Sequence, residues 1–401
     1  MTHSSSQKWL VLSLCVLTIT VVYTVPTLML PVLFGEISAE LDLSVVQLGV
    51  AWGSLSLSSI FVGVFGGAIG DRIGSKRMLT IACLLTGLLG ALRGLAPNYG
   101  LLVATFLLYG FVAPSLPPNI HKTGAYFFPA RRGIATGTIS FGFALALFLG
   151  SRYTATVFSP LVGGWRNVLF WFAGAAVLFA ILWHLLVPDG VLPPPQASER
   201  PFFQSVFKSL RHVLKVRELW IIGIATILFW ACFRGFAGYT PIYLRNAGWT
   251  PVAADGALSG FFGASLVLAI PLVILSERAT SRKPFLIAAM LTAGVGILML
   301  GLGSESLVVA GLIVSGLMFD AFMGIYQAEI LDLPGVGTFA GSALGVAMTF
   351  REIGGAFGPT IGNWLAQFGS NIPFIFWGVL ALLAAGVFLR LPTRRRSAKS
   401  T

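Results

Sequence analysis

Long apolar runs separated by short polar breaks recur along the whole chain. A helix needs roughly 20 apolar residues to cross a bilayer core. With that ruler the runs predict twelve spans, at 9–34, 45–69, 78–96, 101–126, 133–158, 166–187, 219–244, 252–275, 284–303, 306–330, 338–366 and 371–391. Two of the breaks end on a helix-capping residue, Ser44 before the second run and Thr250 before the eighth, whose side-chain oxygens can accept an orphan amide of the first turn. Between the sixth and seventh runs the pattern changes. The stretch "PDGVLPPPQASERP" has turn and linker chemistry. It is followed by "FFQSVFKSLRHVLKVREL", with Phe203, Val206, Phe207, Leu210, Val213 and Leu214 at helical spacing beside a basic face. That pattern predicts a helix lying on the inner membrane surface.

The linker divides the chain into an N-terminal six-helix bundle, 1–187, a cytoplasmic linker with its amphipathic helix, 188–218, and a C-terminal six-helix bundle, 219–401. The halves rhyme at an offset of 206. "GDRIGSKR" at 70–77 falls on "SERATSRK" at 276–283, "SVVQLG" at 44–49 falls on "TPVAAD" at 250–255, and Gly110 falls on Gly316. Six spans return the chain to the same side, so the repeat has one orientation in both halves.

Composition agrees with the pattern. The chain of 401 residues is 56% hydrophobic and 10% charged, with a mean hydropathy of +0.88, whereas a soluble domain carries about 25% charged residues. The fold class expected is therefore an all-α membrane protein. The net charge of +12 does not point to nucleic acid. Of the 26 Lys and Arg, 20 fall on one side of the predicted topology, three (Arg93, Arg166, Arg245) on the other, and three (Arg152, Arg234, Arg351) inside spans. Basic loops stay cytoplasmic, which places both termini inside. Cys15, Cys83 and Cys232 sit within apolar runs and read as packing residues. His3, His121, His184 and His212 show no metal-ligand spacing. With no catalytic constellation, the sequence predicts no cofactor, no metal and no enzyme.

One polar break is unusual. "GGAIGDRIGSKRM", 66–78, joins the second and third runs. A phosphate-binding loop would need a Lys directly after its last glycine and a preceding strand, and both are missing. The spacing of Gly67, Asp71, Arg72, Gly74, Lys76 and Arg77 instead resembles the G-x-x-x-D-R-x-G-R-K signature of the major facilitator superfamily, with Ser75 where the family has a base. With twelve spans and the six-plus-six repeat, the resemblance covers essentially the whole chain. It implies two pseudo-symmetric six-helix bundles working by alternating access, with a solute site near the midplane lined chiefly by spans one, four, seven and ten. It also implies that Asp71 sits near the N-terminus of span eleven, "GVGTFAGS", where the helix dipole favours a carboxylate. Gly67, Asp71, Arg72, Gly74, Lys76 and Arg77 would then be gate parts.

Ionisable residues at membrane depth are costly and face a cavity or a partner. Arg234 falls mid-way along span seven, Asp320 mid-way along span ten, and Arg351 and Glu352 along span eleven. One reading is a buried brace, Arg234 or Arg351 against Asp320. The other is functional: Arg234, Arg351 and Lys122 recognise an anion, since a guanidinium fork matches a carboxylate, while Asp320 and Glu352 handle protons. Lys122, near the inner end of span four beside His121, is reminiscent of small-anion porters of the cyanate and nitrate type. Arg152 can snorkel outward. The expectation is a proton-coupled symporter of a small organic anion such as a monocarboxylate, a monomer in a bacterial inner membrane, with solute, protons and lipid as its partners. The alternatives are a proton-driven exporter of drugs or amphiphiles, which Trp52, Trp230 and Tyr239 would suit, and a non-transporting membrane sensor.

Overall fold

The structure, a computed structural model, describes residues 5–128, 132–188, 202–302, 304–336 and 339–392. Among these residues there is no strand. Eleven helices are long and apolar enough to cross a bilayer: Ser6–Leu28, Val45–Gly63, Ser75–Gly94, Tyr99–Phe127, Gly133–Val162, Trp165–Leu186, Arg217–Asn246, Pro251–Arg278, Lys283–Leu300, Glu305–Leu331 and Ile372–Leu389. They are spans one to ten and twelve. The twelfth expected helix, Ala340–Leu365, is 26 residues long and is span eleven. Arg351, Glu352, Asn363 and six glycines dilute its hydropathy. Large apolar side chains stand exposed on many spans, among them Trp171, Leu185 and Val267 at 62, 69 and 72%, as a surface solvated by lipid requires.

The chain forms two compact units. Unit 1 comprises Met1–Ser44 and Ser54–Val206, and unit 2 comprises Val45–Gly53 and Phe207–Thr401. The division falls inside the amphipathic helix Phe202–Val213, and the first part of the linker, 189–201, lies outside the described residues. The offset of 206 found in the sequence carries the helix boundaries as well. Val45 and Pro251 begin spans two and eight, and Thr250 caps the latter by accepting the Ala253 amide at 3.2 Å. Gly94 and Leu300 end spans three and nine.

Two paired spans are interrupted at the same place. Span four is a helix Tyr99–Gly110, a tight turn Ala113–Ser115 and a second helix Leu116–Phe127. Span ten is Glu305–Gly316 followed by Phe319–Leu331. Adding 206 to Tyr99 and Gly110 gives Glu305 and Gly316. The first interruption has a local cause, because "PSLPP" removes amide donors and bends the helix. The second contains no proline. Both glycines are required by a close approach: a Cβ on Gly110 would strike the Leu55 carbonyl oxygen of span two, and one on Gly316 would strike the Phe261 carbonyl oxygen of span eight. Leu55 and Phe261 are again 206 apart.

Candidate functional site

In unit 2, span seven supplies the scaffold. It runs unbroken from Arg217 to Asn246 and is buried along most of its length. Span eleven lies along it because Gly354 and Gly358, one turn apart, leave room for the Ile227 and Ala231 carbonyls. Small residues at such spacing let membrane helices meet backbone to backbone. The segment Val45–Gly53 packs on span eleven in turn, with Asn363 Nδ2 donating to the Val45 carbonyl at 2.9 Å.

This packing gives each embedded arginine a tryptophan. The Arg234 guanidinium is 3% exposed and its Cζ lies 3.7 Å from the centroid of the Trp52 ring. Trp52 Nε1 donates to the Arg234 carbonyl at 3.3 Å. One turn earlier on span seven, Trp230 carries Arg351 of span eleven, Cζ to centroid 4.9 Å. A desolvated cation over an aromatic face is worth about 2 kcal/mol, and the guanidinium edge, where its donors lie, stays directed away from the ring. Arg351 is also claimed by its neighbour: its Nε and Nη2 reach Glu352 Oε1 at 2.9 and 2.7 Å. Successive helical residues ordinarily diverge, so this pair forms only because the long arginine side chain folds back.

Asp320 stands in the first turn of the second half of span ten. The positive end of a helix dipole favours a carboxylate there, and discontinuous helices in transporters use such ends for ligands. Its backbone amide donates to Ser265 Oγ of span eight at 2.7 Å. Asp320 Oδ2 is buried and accepts no hydrogen bond. Among the described residues Asp320 makes no ion pair, so the brace to Arg234 or Arg351 is not formed in this structure. Phe319 beside it stacks on Phe233 of span seven, centroids 4.0 Å apart. Arg234, Asp320, Arg351 and Glu352 thus belong to one unit. Lys122 belongs to unit 1, with its side chain exposed near the inner end of span four.

The loop at 66–78 is shorter than its polarity suggests. The helix of span two runs to Ile73 and that of span three begins at Ser75. Gly74 alone makes the connection, at φ 86°, a conformation glycine adopts without strain. Arg72, Lys76 and Arg77 flank the Gly74 turn. The side chain of Asp71, the surroundings of Gly67, and the start of span eleven at 337–338 lie outside the described residues, and with them the expected latch. The second copy lacks the glycine, and its connection lengthens to Ala279–Arg282.

The profile of the Major Facilitator Superfamily matches residues 12–262 and 245–401. The chain belongs to the major facilitator superfamily. As a member of that superfamily it is an integral membrane transporter of a small-molecule solute and not an enzyme. It is similar to the probable galactarate/D-glucarate transporter GudP of Escherichia coli (strain K12), 27% identical over 169 residues, which span 39% of this chain and 36% of that protein. It is also similar to the multidrug resistance protein MdtH of Yersinia pestis (strain Pestoides F), 23% identical over 383 residues, 89% of this chain and 88% of that protein. Among solved structures, its fold matches that of the nucleoside transporter NupG, with a TM-score of 0.74 at 14% identity over 96% of this chain and 98% of that one. It likewise matches a bacterial homologue of the human lysosomal transporter Spinster, with a TM-score of 0.73 at 14% identity over 99% and 100%.

Several features of this superfamily member escaped the sequence pattern. Arg93 is no outer-loop residue: it lies in the last turn of span three and is 1% exposed. Nη1 donates to the Pro26 carbonyl at 3.0 Å, and Cζ lies 3.6 Å from the Tyr109 ring centroid. Arg166 and Arg245, also expected in outer loops, are helical and paired, with Glu40 at 2.6 Å and with the fully buried Asp255 at 2.8 Å. The degraded loop of unit 2 proves to be a clamp. Arg282 pairs with Asp332 at the inner end of span ten at 2.6 Å. Lys283 Nζ donates to the Leu389 and Leu391 carbonyls of span twelve at 2.7 and 2.6 Å. Apart from Arg245 and Asp255, ten residues apart, these hydrogen-bond and ion-pair partners are at least 50 residues distant in the chain, so spacing alone could not pair them.

Proposed function

We propose that this transporter is a proton-coupled symporter of a small organic anion, such as a monocarboxylate, acting as a monomer in a bacterial inner membrane. The observation that carries the reading is the pair of arginines in unit 2, each laid on a tryptophan face so that its donor edge is held in a fixed direction. Four charges sit mid-span: Arg234, Arg351, Glu352 and Asp320. With Asp320 ionised they sum to zero. With Asp320 protonated they sum to +1, which one monovalent carboxylate neutralises. Anion binding and protonation then favour each other, as linkage requires. Arg234 and Arg351 serve as anion contacts with Lys122 as an accessory cation, Asp320 carries the proton, and Glu352 holds Arg351. The partial similarity to a sugar-acid transporter agrees with an anionic solute.

A second reading is export of drugs or amphiphiles. Similarity to MdtH over 89% of the chain and the aromatic character of unit 2, with Trp230, Phe233 and Phe319 in contact, favour it. A thermal-shift screen of the purified protein decides between the two. Stabilisation by mono- and dicarboxylates that grows as pH falls supports symport. Stabilisation by cationic amphiphiles, with carboxylates inert, assigns the chain to export.

A further inference from the structure

The interruptions of spans four and ten are repeat-equivalent, and so are the serines that face them. Ser59 of span two and Ser265 of span eight are 206 residues apart, and each is at most 1% exposed. Their hydrogen bonds differ. Ser59 Oγ donates to its own helix, to the Leu55 carbonyl at 2.7 Å, and reaches the Gly110 carbonyl at 3.0 Å. Ser265 makes no bond to the equivalent Phe261 carbonyl. It accepts the Asp320 amide at 2.7 Å, which brings it near the carboxyl of the same residue. The residue equivalent to Asp320 in unit 1 is Pro114, which has neither an amide hydrogen to donate nor a carboxyl to receive a hydroxyl. The two units therefore display two settings of one device: a serine whose hydroxyl donates to its own helix and to the carbonyl just before the break, and a serine that instead accepts an amide from just after the break.

We propose that Ser265 is a positioning residue that converts the charge state of Asp320 into a change in how the inner half of span ten is held. This rests on the reading that Asp320 carries the coupling proton. While the carboxyl is ionised it is an acceptor only, and the Ser265 hydroxyl spans both its oxygen and its amide, fixing the first turn of Phe319–Leu331 to span eight. When a proton from solvent neutralises the carboxyl, the hydroxyl loses its charged acceptor. The Phe261 carbonyl, one turn back, is its alternative, as the Leu55 carbonyl is for Ser59. The Asp320 amide is then released and the half-helix is free to shift. Gly316, which touches the Phe261 carbonyl without a side chain between, leaves that route open.

No other charge competes for this role. Asp255, Glu277 and Arg278 of span eight lie toward its ends, and span nine carries only Lys283, at its inner end. In span eleven Arg351 and Glu352 are bonded to each other. On span seven Arg234 lies over Trp52, and within span ten itself the remaining acids are Glu305, at its very start, and Glu329, near the inner end.

Hydrogen–deuterium exchange of the full-length protein in lipid nanodiscs, measured from pH 5 to pH 8, tests the proposal without a solute. After correction for intrinsic exchange, amides 317–322 of the wild type should exchange about tenfold faster on the acid side, the loss of one hydrogen bond to a charged group. Ser265→Ala should exchange fast at every pH, with the pH dependence gone. Asp320→Asn should do the same, and the double variant should match either single one. Ser59→Ala should raise exchange at 111–118 and leave the pH response at 317–322 untouched. A pH response that survives in Ser265→Ala but vanishes in Asp320→Asn overturns the role of Ser265 and leaves Asp320 as the proton carrier. A response that survives in Asp320→Asn overturns the assignment of Asp320 itself.

Discussion

Arg93 and Arg234 are both arginines buried at membrane depth, one in each unit, and they are held in opposite ways. Arg93 is pinned: one donor reaches the Pro26 carbonyl of span one and its face covers Tyr109, whose hydroxyl is 2.9 Å from Thr27 Oγ1. It ties spans one, three and four together with no carboxylate partner among the described residues. The Pro26 carbonyl needs such a donor because span one is irregular there, a π-helical stretch Thr18–Thr24 followed by a short helix Val25–Leu28. Arg234 is laid on a tryptophan instead, in a unit that also buries two acids. The difference teaches how a duplicated bundle divides its labour. The helices and their breaks are shared, while the ionisable groups proposed for recognition and coupling, Lys122 apart, lie in unit 2, and Arg93 braces the helices of unit 1.

The sharpest challenge to that comparison is the shared part. Gly110→Ala and Gly316→Ala should each cost about 3 kcal/mol, the upper range for overpacking, because the added methyl meets backbone. Both should lower thermal stability alike, and a large effect in only one unit would break the equivalence. Arg234→Ala should weaken binding of a stabilising carboxylate about 100-fold, near 2.7 kcal/mol, in addition to the roughly 2 kcal/mol of stability lost with its Trp52 contact. Arg234→Lys, which keeps charge but not the planar fork, should fall between. Arg93→Met should leave carboxylate affinity unchanged and lower only the stability, by about 1 to 2 kcal/mol through the lost hydrogen bond. Equal effects on affinity from both arginines would refute the division.

Smaller effects test the edges of each unit. Asp332→Asn should lower stability by about 1 kcal/mol or less, since the carboxylate is half exposed and such pairs are weak. The difference should shrink in high salt. In unit 1 the hydrogen bond from Arg166, reinforced by that from Trp165, holds the Glu40 carboxyl below its ordinary range. A depressed carboxyl pKa stabilises the fold above the unfolded value near 4.3 and loses that contribution as pH falls through the folded value. The stability difference between wild type and Glu40→Gln, roughly half a kcal/mol after solvent screening, should therefore be constant near neutral pH and vanish on acidification below about pH 4. Melting curves over that range provide the check.

How much was legible follows from the kind of signal each feature has. The spans were legible because a bilayer demands a run of apolar residues, and the break in span four because proline announces it. Gly74 was legible as a turn, but nothing local marks Gly70, where a Cβ would collide with Asn119 Oδ1 of span four. Asp320, Arg234, Arg351 and Glu352 were legible as charges out of place in an apolar run. Their arrangement was not: neither the Arg351–Glu352 pair nor the Trp52 cover on Arg234 could be read from spacing, since neighbouring helical residues normally diverge and Trp52 is 182 residues away. Ser265 carried no signal, because a serine in a membrane helix usually bonds its own backbone, as Ser59 does.

The sequence by itself determined the class of the molecule: a membrane-embedded helical chain, its orientation, its duplication at an offset of 206 and the loop that announces its superfamily. Those features are one-dimensional, set by hydrophobic length, by the side on which basic residues collect and by local turn chemistry. Span ten's break without a proline, the serine of span eight that holds it, and the tryptophans under Arg234 and Arg351 came into view only with the fold. Each is a contact between residues distant in the chain, and the energy of such a contact depends on how closely glycine-lined backbones approach, which no local pattern encodes.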